Sequence, residues 1–288
     1  MTNTLLDFAK ATADHPVHPA ITAMAAIILP EHQPASAVLA YGSALRDANP
    51  DTTLIDFYVL TQTSQGVSKN TLSRALCGLV PPNVYYAELH VNGKSCRAKY
   101  AVLPIELLAS KLKGDIANPY FWARFAQPMR LVWAADDVAR TRVHQLLARA
   151  METAQANASR LAARASPAEQ WTILFQNTYQ TELRPEGQAR AKLIVDMQVE
   201  HFETIARLAK PVSSSEWSWS TRRWTGKMLS VARLLKAAFT FQGGADYAAW
   251  KIERHSGVKI EVTEWQRRHP VLASIVLLPK VLKKGGLR

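Results

Sequence analysis

Two short stretches carry residues whose types and spacing could do chemistry. An apolar run beginning at Ser36 ends in Tyr41-Gly42-Ser43, and thirteen residues after that serine Asp56 sits inside a second run, Thr-Leu-Ile-Asp-Phe-Tyr-Val-Leu. Glycine has no Cβ, so backbone amides and a hydroxyl at such a strand end can close on a phosphate. A carboxylate on the neighbouring strand can hold a divalent cation against that phosphate. The two features together suit metal-assisted phosphate transfer. The plainer alternative is an ordinary strand-end turn beside a hydrogen-bonded aspartate.

Both runs have the composition and length of strands, and the loop between them carries Arg46, Asp47, Asn49 and Pro50, mostly turn formers. Around them the pattern predicts helices over residues 4–13 and 19–29. A further helix over 68–79 places Leu72, Leu76 and Leu79 on one face. Two strand-like runs, 83–91 and 94–103, flank Asn92-Gly93, the strongest short-range signal for a hairpin. After Pro104 the chain reads as helical. Asp136 and Asp137 can cap a long helix with Val143, Leu146, Leu147, Ala150, Met151, Ala154, Ala158 and Leu161 at the 3.6 period. Pro167 suits a helix start, and another helix is expected over 190–210. Pro211 and Ser213-Ser214-Ser215 then read as a linker.

Composition bounds the class. The 288 residues are 48% hydrophobic, enough for a sizeable core in one or two domains. The two cysteines, Cys77 and Cys96, imply neither a disulfide framework nor a thiolate zinc site, which fits a reducing cytoplasm. No secretory signal pattern opens the chain, and no stretch has the length of a spanning helix. The net charge of +12 is uneven: residues 211–288 hold 14 Lys/Arg against 5 Asp/Glu, together with five of the eight tryptophans. A basic, Trp-bearing end points to an anionic partner, either lipid headgroups or nucleic acid.

Four blocks in order resemble the mitochondrial-type phosphatidate cytidylyltransferases, which make CDP-diacylglycerol from CTP and phosphatidic acid. They are Ala40-Tyr41-Gly42-Ser43 with Leu54-Ile55-Asp56-Phe57; Val84-Tyr85-Tyr86 leading to Lys99-Tyr100-Ala101-Val102; Tyr120 through Arg124 to Gln127-Pro128; and Thr178-Tyr179-Gln180-Thr181-Glu182-Leu183-Arg184. The chain departs from the family at Ala44, Ala101 and Ala123, where the family has glycine, at Glu182 for aspartate and at Gln127 for lysine. It resembles a divergent member. Residues 211–288 lie outside the resemblance.

The resemblance implies an α+β fold. A nucleotidyltransferase-like mixed-sheet domain over 1–110 would precede a helical domain over 111–210 that completes the site. The basic helical region 211–288 would follow. Tyr41, Gly42, Ser43 and Arg124 would bind the nucleotide, Asp56 would hold Mg²⁺, and Lys99, Glu182 and Arg184 would complete the catalytic set. Arg124 also suits a purely structural cation–π role, and Lys99, Glu182 and Arg184 suit solvated positions. A second metal carboxylate has three candidates, Asp51, Glu88 and Asp115, among which the sequence does not choose. His15, His18 and His201 are read as structural or exposed.

The basic end reads as two amphipathic helices. Residues 226–241 carry Met228, Leu229, Ala232, Leu235, Ala238 and Phe239, flanked by Arg223, Lys227, Arg233 and Lys236. Residues 271–284 carry Leu272, Ile275, Val276, Leu278 and Leu282 with Lys280, Lys283 and Lys284. Such helices suit either the headgroup boundary of an anionic bilayer or a helical subdomain packed on the core. The leading expectation is a cytidylyltransferase working with CTP and phosphatidic acid, peripheral on the cytoplasmic face of a membrane. A catalytically inactive membrane adaptor and a nucleic-acid-binding protein are the alternatives; no zinc-finger or RNA-recognition signature favours the latter.

Overall fold

The computed structural model describes residues 4–45, 53–91, 94–183, 188–210, 217–241, 243–256 and 262–268. In chain order the elements are α1 (Leu5–Ala13), α2 (Pro19–Ile28), β1 (Ala35–Tyr41), β2 (Ile55–Thr61), α3 (Thr71–Leu79), β3 (Asn83–Val91), β4 (Lys94–Pro104), α4 (Ile105–Lys111), α5 (Tyr120–Phe125) and β5 (Met129–Ala134). Then follow α6 (Asp137–Leu161), α7 (Pro167–Gln180), α8 (Gln188–Asp196), α9 (Val199–Leu208), α10 (Trp219–Thr240), α11 (Gly244–Ser256) and α12 (Glu264–Arg268). The architecture is α+β.

Five strands form one mixed sheet in the order β3-β4-β2-β1-β5. Only the β2–β4 pair is parallel; β1–β2, β1–β5 and β3–β4 are antiparallel. The hairpin signal at Asn92-Gly93 is borne out, because Val91 pairs with Lys94 across the two-residue connection. Successive residues of β1 and β2 are buried almost without interruption. Neighbouring strand residues point to opposite faces, so both faces of the sheet's middle are covered by other elements.

The strand β5 corrects the reading that the chain is only helical after Pro104. Met-Arg-Leu-Val-Trp-Ala is too short for a periodicity test, but its aliphatic and aromatic side chains suit the edge position against β1. The helix expected over 190–210 is two, α8 and α9, broken at Gln198, whose φ of −146° is not helical. No glycine or proline marks that break.

Helix α6 is the expected long one. Asp136 caps it by accepting the Ala139 N–H at 2.7 Å, and Val143, Leu147, Ala150, Met151, Ala154 and Ala158 are buried. Ser166 and Glu169 form a capping box at the start of α7, with Pro167 in the first turn.

Two helices turn their leucines the other way. In α3 the inward residues are Ser73 and Cys77, while Leu72 and Leu79 are 66% and 74% exposed. In α10, which is capped by Ser218 and begins at Trp219, seven residues before the expected start at 226, Arg222, Lys236 and Thr240 are buried. Trp224, Met228, Val231, Leu235 and Phe239, spaced four, three, four and four apart, face out. The helix is therefore packed on the body by its polar side. Arg233 and Lys236, expected to flank the apolar stripe, point inward. The second basic stretch, 271–284, and the linker at 211–215 lie outside the described residues, as does Asp51.

Candidate active site

The sheet register places the predicted residues in one row. Met129 pairs with Tyr41, Tyr41 with Asp56, Asp56 with Lys99, and Lys99 with Tyr86. Laterally paired residues project to the same face, so Tyr41, Asp56, Lys99 and Tyr86 stand side by side on it. The turn after β1 closes on this row. Gly42 has φ +85°, and a Cβ there would lie 3.2 Å from Asp56 Oδ2. Any side chain at position 42 would thus be strained by its backbone and would crowd the carboxylate. Ser43 opens a single helical turn and is exposed, leaving its hydroxyl at the surface next to Gly42.

The helical part of the chain brings two more predicted residues to the row. Arg124, on α5, stacks over the Tyr41 ring at 5.5 Å and the Tyr120 ring at 5.7 Å. Burial disfavours its charge, but Tyr41, Tyr58, Tyr120 and the Glu182 carboxylate outweigh that and hold its pKa well above the ordinary value. Glu182, just past α7, is therefore within electrostatic reach of Arg124. The cation–π role left open for Arg124 is realised alongside this. Arg184 lies outside the described residues.

A carboxylate set for metal is only partly in view. Glu88 is bound by Arg97 at 2.7 Å and accepts from the Tyr86 hydroxyl at 3.2 Å, which commits it elsewhere. The backbone carbonyl of Asp115 accepts from Trp217 Nε1 at 2.9 Å. Among the described residues no cluster of three His, Cys, Asp or Glu side chains could hold a metal ion. Magnesium does not require such a cage, because it commonly binds one or two carboxylates with substrate phosphates and water completing the shell. Asp56 beside the Gly42 turn fits that mode.

His201 is partly buried, its ring bonded to the Ala126 carbonyl at 3.0 Å, and desolvation pushes its pKa down to about 4. It is neutral and structural, as expected.

Three contributors escaped the sequence reading. Tyr247, on α11, places its ring 5.7 Å from the Lys99 ammonium, and burial followed by the nearby Asp56 carboxylate raises its pKa. It also packs on Tyr86, where Gly243 lets the chain approach: a Cβ there would lie 2.9 Å from the Tyr86 carbonyl. The other two are Arg130 and Gln198, which line a cavity of about 200 Å³ beside Tyr41 and Gly42. Aromatic residues at 241, 247 and 250 were the available signal for α11, but nothing local says which strand they meet.

No family profile matches the chain, and no curated protein does. Among solved structures, a nucleotidyltransferase-like protein from Exiguobacterium sibiricum aligns with 93% of this chain and 90% of its own, at 14% identity and a TM-score of 0.26. Overlap that low carries no weight for fold or site. The resemblance to cytidylyltransferases rests on the four sequence blocks.

Proposed function

We propose that this protein is a nucleotidyltransferase that moves CMP from CTP to phosphatidic acid or a related lipid phosphate, giving CDP-diacylglycerol and pyrophosphate. The observation that carries this reading is the contact of the Gly42 turn with the Asp56 carboxylate, in a row that continues to Lys99. In the reaction an acceptor phosphate oxygen attacks the α-phosphorus in line. The bond from that phosphorus to the bridging oxygen breaks, and pyrophosphate leaves with the electron pair. A phosphomonoester is already mostly dianionic near neutrality, so no strong base is needed. The barrier is chiefly the meeting of two polyanions.

Each residue then has a task. Gly42 and Ser43 would cradle phosphates with amides and a hydroxyl. Asp56 would hold Mg²⁺, which when bound neutralises developing charge on the phosphate oxygens. Lys99 would act as a point charge, and Arg124, fixed between two tyrosines, as an oriented donor. Glu182 would keep Arg124 aimed, and Arg184 would add charge from the same segment.

The lipid side of the reading is supported by α10. Its outward stripe of Trp224, Met228, Val231, Leu235 and Phe239 runs beside Arg223 and Lys227, and Leu79, which precedes the Val80 and Pro81 carbonyls bound by Lys236 and Arg233, is exposed as well. An exposed apolar stripe with adjoining cations suits shallow insertion among anionic headgroups. No helix among the described residues is long and apolar enough to cross a membrane. Binding to phosphatidate-containing liposomes that weakens with salt, alongside pyrophosphate release from CTP, would support the whole reading. Liposome binding without turnover would favour the inactive adaptor, a reading encouraged by the commitment of Glu88 to Arg97.

A further inference from the structure

None of the roles above falls to Tyr247, which touches the catalytic row from α11, in the basic region after residue 210. The seating of that helix gives it one. Gly243, with φ +75°, turns the chain out of α10 so closely that a Cβ there would lie 2.9 Å from the Tyr86 carbonyl. Ala245 and Ala249, one turn apart, are buried, and their small side chains let the helix lie close to its neighbours.

Two matched contacts then join α11 to β4. Arg97 and Lys99 are two apart on the strand and project to one face; Tyr247 and Trp250 are three apart on the helix and also share a face. The Arg97 guanidinium lies 5.8 Å from the Trp250 ring, and the Lys99 ammonium lies 5.7 Å from the Tyr247 ring. The two contacts differ in kind. Arg97 is already tied to Glu88 at 2.7 Å, so its contact with Trp250 anchors the helix. For Lys99 the ring is the partner the structure records, and Lys99 is the cation that pairs with Asp56 in the row. Tyr247 is itself braced by Tyr86 at 5.7 Å, Phe241 at 5.8 Å and Trp250 at 6.0 Å. A braced ring offers a fixed, negative face on which a flexible ammonium can settle.

We infer that Tyr247 is a positioning residue of the active site, its ring holding the Lys99 ammonium where the phosphates of the nucleotide arrive. A lysine stem is long and flexible, and ordering it only when the ligand binds weakens binding by about threefold to tenfold. The ring takes one side of the ammonium and leaves N–H donors for phosphate oxygens. The site therefore extends past residue 210 into the basic region. This inference rests on the nucleotidyltransferase reading.

Calorimetry of CTP binding to the full-length protein, with Mg²⁺ present, tests it through a double-mutant cycle. Tyr247→Leu removes the ring and weakens CTP binding about fivefold in the wild-type background, but less than about twofold where Lys99→Met is already present. Tyr247→Phe keeps the ring and binds CTP within about twofold of wild type. A phenylalanine with a fluorinated ring at 247 keeps the shape and loses the negative face. It therefore folds even where the leucine variant does not, and its CTP binding falls about fivefold. Equal losses from Tyr247→Leu in both backgrounds make Tyr247 a packing residue only and overturn the positioning role. A fluorinated ring that binds CTP like the wild type overturns it too. In both cases CTP still binds, and the nucleotidyltransferase reading stands. A wild type that does not bind CTP overturns both.

Discussion

Helices α6 and α10 carry comparable apolar stripes and use them in opposite directions. In α6, Val143, Leu147, Met151 and Ala158 are buried, and its charged residues are left to solvent or to surface pairs such as Arg142 with Glu106 at 2.9 Å. In α10 three cations, Arg222, Arg233 and Lys236, are turned inward. Arg222 donates to the Ile116 and Ala117 carbonyls at 3.0 and 2.6 Å and to Asn157 at 3.3 Å, between the rings of Trp122 and Trp219. Arg233 donates to the Pro81 carbonyl and lies 4.0 Å above Tyr120; Lys236 donates to the Val80 and Pro82 carbonyls and to Asn83. Periodicity therefore identifies an apolar face without saying what it faces. Loop carbonyls with no partner of their own can attract a basic face as firmly as a core attracts an aliphatic one.

Met151→Asp in α6 buries an unpaired charge and costs on the order of 4 kcal/mol or more, whereas Leu235→Asp in α10 changes stability by less than about 0.5 kcal/mol. Urea unfolding of the two variants measures both; equal losses would erase the distinction. Arg222→Met strands the carbonyls of residues 116 and 117 and costs about 2–3 kcal/mol, read as a lower midpoint in the same titration.

Lys236 gives a pH signature. Burial lowers its pKa from 10.5 to about 8. Between those values the unfolded chain binds more protons, so stability rises as pH climbs through that window. Lys236 contributes a rise on the order of 1 kcal/mol from about pH 8 to 9.5, opposed within that window by the neighbouring Cys77 thiol and above it by the buried tyrosines, whose pKa values burial raises. Lys236→Met should flatten the profile; an unchanged profile would place the proton elsewhere. The smallest effect on folding belongs to the paired change Trp224→Ser and Phe239→Ser. Its melting temperature stays within a few degrees of wild type while binding to phosphatidate liposomes falls at least fivefold, measured by co-sedimentation. Undiminished binding would remove α10 from the membrane contact.

Much of the sheet was legible because local signals agreed there. Gly42-Ser43, the β-branched run around Asp56 and the Asn92-Gly93 hairpin each have a local cause, and register then set Tyr41, Asp56 and Lys99 in a row. Residues whose role depends on distant partners were not legible. Tyr247 meets Lys99 across about 150 residues of chain, a contact that no local pattern announces. Strand β5 was missed because six residues are too few to separate from helix by period.

The central claim is that Asp56 and the Gly42 turn carry out nucleotidyl transfer, and one assay addresses it directly. Purified protein is incubated with α-labelled CTP, Mg²⁺ and phosphatidate liposomes, and labelled lipid is counted for the wild type and for Asp56→Asn. The account predicts labelled CDP-diacylglycerol with stoichiometric pyrophosphate, and a fall of roughly a hundredfold or more in the variant with its melting temperature unchanged. Equal turnover by Asp56→Asn, or no labelled lipid from a folded wild type that binds the liposomes, would contradict it.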